Sequence, residues 1–216
     1  MSSATTLVLL RHGEAEGNRE LRYLGSTDAA LTATGEEQAR QLASALDGYP
    51  LVALYSSPLK RALGTANRVA EVTGLRVTVE RALREQEYGA WENHTRDEVR
   101  SVSPEALAAW ERGEAPPSDG EPLEAVRERV VALADRLAAA HADQMVALVS
   151  HVGPIKTLVC AALGLPPAGV YRMWLDTASI CVVDWRVSSG EEQSRGMLRV
   201  FNATSHLDPP ARWLRR

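Results

Sequence analysis

The sequence predicts an α/β fold, a three-layer α/β/α sandwich whose central sheet is mostly parallel and flanked by helices. Three observations predict it. Continuous apolar runs of strand length recur at TLVLL, LVALY and MVALV, as fully buried parallel strands require. Longer segments between them repeat their apolar residues at helical spacing. The two patterns alternate, the order that lays helices on both faces of a parallel sheet. At 216 residues the chain reads as one domain, with a core over about residues 6–202 and a tail over 203–216.

The elements follow in order. Thr6 to Leu10 is a buried strand that ends in Arg11-His12-Gly13-Glu14. Thr32-Ala33-Thr34-Gly35-Glu36 opens a helix that ends near Gly48. Leu51 to Tyr55 is the second strand. Ser56-Ser57-Pro58 follows as a turn and N-cap signal. Leu59 to Thr73 carries apolar residues at 59, 62, 63, 66, 69 and 70, a helical stripe that Gly74 stops. Arg76 to Val79 is a short third strand. The polar segment 80–120 holds Trp91 and Trp110 and is expected to form short helices over one end of the sheet. Pro122 to Ala140 is an amphipathic helix, and Met145 to Val149 a fourth buried strand. Ile155 to Leu163 is a helix stopped by Gly164. Ala178 to Trp185 and Met197 to Asn202 are late strands, joined by a hairpin-like Ser188–Glu192. From His206 to Arg216 a loose end is expected.

Composition narrows the function classes. Charged residues make up 24% and hydrophobic residues 45%, ordinary globular values that exclude disorder for the bulk. The longest apolar runs are far below the roughly 18 residues of a membrane span. The first residues lack the basic region of a signal peptide. Lys plus Arg total 24 against 28 Asp plus Glu, a formal charge of −4, which argues against a nucleic-acid surface. Only Lys60 and Lys156 are lysines, so 24 − 2 = 22 basic residues are arginines. Cys160 and Cys181 lie in apolar runs and are expected as buried free thiols, which suits the cytoplasm. Neither begins a Cys-x5-Arg loop. The chain also lacks a His-Glu-x-x-His helix, an Asp-x-Asp pair and a Gly-x4-Gly-Lys loop, so no metal, cofactor or nucleotide-driven chemistry is indicated.

In an open α/β sheet, ligands bind beyond the carboxyl ends of the strands. His12 follows the first strand and His151 the fourth, so both are expected to face one crevice. His94, His141 and His206 occupy a polar segment, a helix end and the tail, where solvated or capping roles suffice. Arg11 adjoins His12, and Arg61 lies one turn into the helix after the second strand. Two imidazoles and two guanidiniums form a plausible phosphate pocket. Arginine binds phosphate through parallel charge-assisted hydrogen bonds, and a neutral imidazole is a competent nucleophile.

Ordered blocks then make the sequence recognisable. Leu10-Arg11-His12-Gly13-Glu14 with Asn18, Leu31-Thr32-Ala33-Thr34-Gly35 with Gln38-Ala39, and Ser56-Ser57-Pro58-Leu59-Lys60-Arg61-Ala62 with Thr65-Ala66 come first. Leu83-Arg84-Glu85 with Tyr88-Gly89-Ala90-Trp91-Glu92, and Val149-Ser150-His151, complete the set. Together they resemble the histidine phosphatase superfamily, the phosphoglycerate-mutase-like clan. The run Ser150 to Lys156 is most similar to the small cofactor-independent phosphatases, including the α-ribazole phosphatase-like and broad-specificity acid phosphatase groups.

The resemblance implies a phosphomonoesterase in which His12 attacks phosphorus and carries a phosphohistidine that water then hydrolyses. It implies that Arg11, Arg61 and His151 hold the non-bridging oxygens, that Asn18 adds a hydrogen bond, and that the Val152 backbone N–H contacts phosphate. Glu85 is implied to protonate the leaving oxygen and later to activate water. Such an acid must hold its proton beside two arginines that favour its charged form; burial against Tyr88 or Trp91, or an arriving dianion, offsets them. Glu14, Glu87 and Glu92 are the rival acids. No cofactor is implied. The expected partners are a small phosphorylated metabolite and inorganic phosphate.

Two positions depart from the family pattern. Val152 stands where glycine is common, and a β-branched residue resists positive φ. Asn93 replaces a glycine after Trp91-Glu92, and asparagine tolerates left-handed geometry. The nearest alternative activity is a phosphoglycerate mutase, but the 66 residues from Glu85 to His151 leave little room for a mutase-type insertion. A non-catalytic phosphate-binding domain is the second alternative. Selectivity is expected from segment 86–120 and from loops near 22–28 and 153–157. A homodimer is conceivable through the late strand Ile180–Val183 at a sheet edge.

Overall fold

A computed structural model of the chain describes residues 4–187 and 196–208. Six strands form one sheet in the order β3-β2-β4-β1-β5-β6. They are β1 (Thr5–Arg11), β2 (Leu51–Ser56), β3 (Val77–Val79), β4 (Met145–Ser150), β5 (Ile180–Trp185) and β6 (Gly196–Ala203). The β1–β4, β4–β2 and β2–β3 pairs are parallel, while β1–β5 and β5–β6 are antiparallel. The helices are α1 (Ala33–Ala45), α2 (Lys60–Thr73), α3 (Arg96–Val102), α4 (Pro104–Glu111), α5 (Leu123–Ala140) and α6 (Val152–Ala162).

The alternation of side chains along a strand splits β1 between two cores. Leu7 and Leu9 pack with Val126, Val130, Leu133 and Leu158 of α5 and α6. Val8 and Leu10 pack with Leu42, Ala62, Ala66 and Val69 of α1 and α2. The three layers are therefore helices, sheet, helices. Thr32 caps α1 through its side chain, which accepts from the Gly35 N–H. A third, smaller core holds Trp91, Val99, Leu107 and Trp110, with Tyr23, Tyr88 and Tyr171 against it. Segment 80–120 builds most of it, in the short helices the sequence suggested. Cys160 and Cys181 are free and buried.

Several expectations need correction. Ile180–Val183 does not lie at an edge: β5 pairs with β1 on one side and β6 on the other, so its backbone groups are already used. Helix α6 begins at Val152 rather than Ile155, with His151 as its N-cap. Gly153-Pro154 reads as a loop in sequence, yet proline is tolerated in a first turn, where its missing N–H is not needed. Ser57 does not cap α2. The Lys60 N–H is met instead by Asp28 Oδ1 at 2.7 Å, a residue the chain brings from 32 positions away. The tail is packed further than expected, with Thr204 and Leu207 buried. Val152 keeps helical geometry and is absent from the left-handed residues, whereas Asn93 has φ 64°. The Ser188–Glu192 connection and the end beyond residue 208 lie outside the described residues.

Candidate active site

The carboxyl ends of β1, β2 and β4 converge on one cavity of about 370 Å³. Arg11 is the last residue of β1, and the ladder runs one step further: the His12 N–H donates to Ser150 O (3.1 Å) and the Ser57 N–H to Val149 O (3.0 Å). These bonds place residues that are distant in sequence side by side. The rings of His12 and His151 lie 5.0 Å apart, tilted by 59°. Arg11, His12, Asn18, Arg61, Glu85 and Val152 all line the cavity.

His12 is almost fully buried. Its Nδ1 lies 2.7 Å from Gly13 O. A carbonyl only accepts, so Nδ1 carries the hydrogen and Nε2 keeps a free lone pair. Burial, and then the charge of Arg61 and Arg11, push this imidazole well below its usual 6.5. It is therefore neutral at physiological pH. The backbone behind it is held by close contact with α1. A Cβ on Gly13 would sit 2.4 Å from Gly35 O, and one on Gly35 would sit 1.9 Å from Glu14 O. Only glycine allows that approach, which explains the Thr-Ala-Thr-Gly block.

Arg61 reaches the cavity from the first turn of α2. Its Nε donates to His151 Nδ1 (3.2 Å), Nη1 to Thr27 O (2.6 Å) and Nη2 to Gly25 O (2.8 Å). Three of its five N–H groups are spent on the protein, leaving two for an oxyanion. Arg11 donates through Nη1 to Leu175 O. Its Nε is buried with no hydrogen-bond partner, a costly condition of about 1–3 kcal/mol that an acceptor in the cavity would relieve. Burial lowers Arg11 to about 10, which still leaves it charged at neutral pH.

His151 is brought to the site but stands behind it. It is fully buried and does not line the cavity. Since Arg61 donates to Nδ1, the other nitrogen, Nε2, carries the hydrogen and donates to Ser57 Oγ at 2.8 Å. Burial and Arg61 push His151 well below its usual value. Asn18 lines the cavity, and its Oδ1 accepts the Ala15 N–H (2.8 Å).

Glu85 follows the short third strand and is 7% exposed. Its Oε1 accepts both the Gln86 N–H and the Gly153 N–H, each at 2.9 Å. Oε2 takes neither. The Gly153 bond is possible because that residue has no side chain: a Cβ there would lie 2.5 Å from Glu85 Oε1. Arg129 ties the Glu85 segment to α5, donating to Glu85 O (3.2 Å) while paired with Glu121 at 2.8 Å. Of the rival acids, Glu14 lines the cavity but is paired with Arg19 and hydrogen-bonded by Thr32. Glu87 pairs with Arg84 at 3.3 Å. Glu92 faces away and accepts from Ser26, Thr27 and the Tyr88 N–H, fixing the loop whose carbonyls hold Arg61.

Sequence reasoning missed several members. Ser57 reads in the sequence as a turn residue, and Thr65, which accepts the Gly13 N–H at 3.1 Å, appears there only within the block Ser56 to Ala62 with Thr65-Ala66, without a role. The wall 174–177, with Trp174 and Asp176, carried no signal because it precedes a strand of the opposite direction. Among the described residues no three His, Cys, Asp or Glu side chains are grouped to hold a metal ion, and no helix is long and apolar enough to cross a membrane.

Residues 7–195 match the model of the histidine phosphatase superfamily (branch 1). Phosphoserine phosphatase 1 of Hydrogenobacter thermophilus is 34% identical over 203 residues, covering 93% of each chain. The probable phosphoglycerate mutase GpmB of Salmonella arizonae is 34% identical, covering 94% of this chain and 95% of that protein. The structure of a mycobacterial glucosyl-3-phosphoglycerate phosphatase in complex with VO3 superimposes with a TM-score of 0.82 at 32% identity, covering 92% of this chain and 98% of that one.

Proposed function

This chain belongs to the histidine phosphatase superfamily and is a phosphatase of it; from that premise we propose that it hydrolyses a small phosphorylated metabolite through a phosphohistidine on His12. The observation that carries the reading is the Nδ1–H bond of His12 to the Gly13 carbonyl. It leaves Nε2 with a free lone pair, which supports that atom as the nucleophile, on a residue that lines the cavity together with Arg11 and Arg61.

In the first step Nε2 attacks phosphorus while the bond to the ester oxygen breaks, and Glu85 gives that oxygen a proton. In the second, water attacks the phosphohistidine, Glu85 takes the water's proton, and the P–N bond breaks to release inorganic phosphate. Charge on the three equatorial oxygens is met by Arg11 and by the two remaining N–H groups of Arg61, so catalysis is chiefly positioning and electrostatics. Asn18 and the first-turn N–H of Val152, free of intrahelical partners, add neutral donors. His151 supports Arg61 through Nδ1.

The test is chemical trapping. Labelled substrate, a rapid quench and proteolysis are expected to leave acid-labile, alkali-stable label on the peptide bearing His12. Product formation with that peptide never labelled overturns the reading. Incubation with 3-phosphoglycerate and its bisphosphate primer is expected to release free phosphate, and isomerised product without free phosphate would make the chain a mutase instead. Turnover is expected to survive a chelator.

A further inference from the structure

A cation and a carboxylate share the lining of this cavity without pairing. Arg11 and Asp176 both line it. Burial lowers Arg11, while the charges of Glu85 and then Asp176 act the other way, so Asp176 lies within electrostatic reach of the guanidinium. Among the described residues neither group takes part in an ion pair, and Arg11 Nε has no hydrogen-bond partner. Of the other cations in the lining, Arg22 pairs with Glu98 at 3.0 Å, and Lys156 makes no hydrogen bond or ion pair with any described residue. Arg11 is already stripped of water, so a carboxylate beside it gains free energy by pairing. Something must hold Asp176 back.

Three hydrogen bonds do so. Asp176 Oδ1 accepts from Trp174 Nε1 (2.9 Å), Oδ2 accepts from Asn202 Nδ2 (2.8 Å), and the Asp176 N–H donates to Asn202 Oδ1 (2.8 Å). The last two bonds fix the amide: the end that meets a carboxylate oxygen is nitrogen, and the end that meets an N–H is oxygen. Each carboxylate oxygen therefore has a neutral donor. Asn202 comes from β6, where the pairing with β5 shifts register, and it stands at φ 53°. That left-handed backbone suits asparagine better than most residues and is a local cost. The same turn delivers an amide bonded twice to Asp176, one residue from the Leu175 carbonyl that holds Arg11 Nη1.

We propose that Asn202 is a positioning residue: together with Trp174 it holds the Asp176 carboxylate off Arg11, so that the guanidinium stays open to the phosphoryl oxygens of the substrate. A released carboxylate would occupy Arg11 itself and compete with every anion that enters. The inference rests on the phosphatase reading above, in which Arg11 meets phosphate, and adds the residue that keeps it free.

The test removes the amide and then the charge. Asn202→Gly deletes the side chain and keeps the left-handed backbone, which glycine adopts freely. It is expected to weaken vanadate inhibition of p-nitrophenyl phosphate hydrolysis by about 10-fold and to raise KM by a similar factor, the scale of one hydrogen bond to a charged group. Asp176→Asn in the Asn202→Gly background takes away the competing charge, and is expected to return vanadate affinity to within about threefold of native, a coupling that independent sites do not show. A wall that was merely loosened would not be repaired by a second substitution in it. Trp174→Phe removes the other donor; its smaller loss is expected to be reversed by Asp176→Asn in the same way, and it carries the test where Asn202→Gly does not fold. Native vanadate affinity in Asn202→Gly, or a double variant no better than Asn202→Gly alone, overturns the proposal. Failure of the phosphohistidine reading shows separately, as turnover that persists in His12→Ala.

Discussion

The floor of the cavity and its rim are built on opposite plans. On the floor, His12, Arg61 and Glu85 are buried, and each is fixed by backbone groups: Gly13 O for His12, Gly25 O and Thr27 O for Arg61, the Gln86 and Gly153 N–H groups for Glu85. At the rim, Leu21 is 67% and Trp174 63% exposed, and Lys156 makes no polar bond within the described residues. Backbone partners do not change with sequence, so the floor holds one geometry for the one group common to all its substrates. Side chains that are free to vary face whatever the phosphate is attached to. Preorganised donors cost little reorganisation when charge develops, while adaptable ones serve discrimination.

That contrast can be broken, most severely on the floor. His12→Ala is expected to abolish phosphoenzyme and nearly all turnover in a quench assay, and residual turnover above about a thousandth of the native rate would show that another group can carry phosphate. Arg61→Ala is expected to cost on the order of 10²–10³ in kcat/KM, as for one preorganised charge donor, with vanadate affinity falling in parallel. Glu85→Gln should slow alkyl esters by about 10²-fold or more but p-nitrophenyl phosphate by only a few-fold, since nitrophenolate leaves without a proton. Gly153→Ala, which drives a Cβ against Glu85, should reproduce that leaving-group dependence in weaker form. Equal slowing of both esters in Glu85→Gln would remove the acid from the scheme. At the rim, Trp174→Ala is expected to shift KM by about twofold to fivefold and leave single-turnover phosphorylation nearly unchanged; a large loss of that step would erase the distinction between floor and rim.

The floor also has a thermodynamic signature. His12 and His151 are held neutral well below their usual 6.5, so the unfolded chain binds protons that the fold refuses. Stability is therefore present above about pH 6.5 and falls as pH drops towards the folded values, by up to about 1.4 kcal/mol per pH unit for each ring. Denaturant unfolding at pH 7.5 and 5.5 should show a smaller loss for His12→Gln than for the native protein. An identical loss in both would mean that the ring is not held neutral by the fold.

The sequence by itself determined the strands of the sheet, where they end and which polar residues sit on those ends. Arg11, His12 and His151 are legible because continuous apolar runs stop abruptly beside them, and a buried strand must end where its first polar residues begin. Asn93 was legible for a similar reason, since its left-handed turn is a local property. Only the tertiary structure decided that Glu14 and Glu85 line the cavity while Glu14 is paired with Arg19, that Ser57 and Asp28 serve partners far along the chain, and that β5 is interior rather than an edge. Periodicity along the chain fixes what is buried near each residue. Which loop meets which is fixed by packing between segments far apart in sequence, such as Glu92 on the 25–27 loop and Glu85 on Gly153, and no local pattern encodes it.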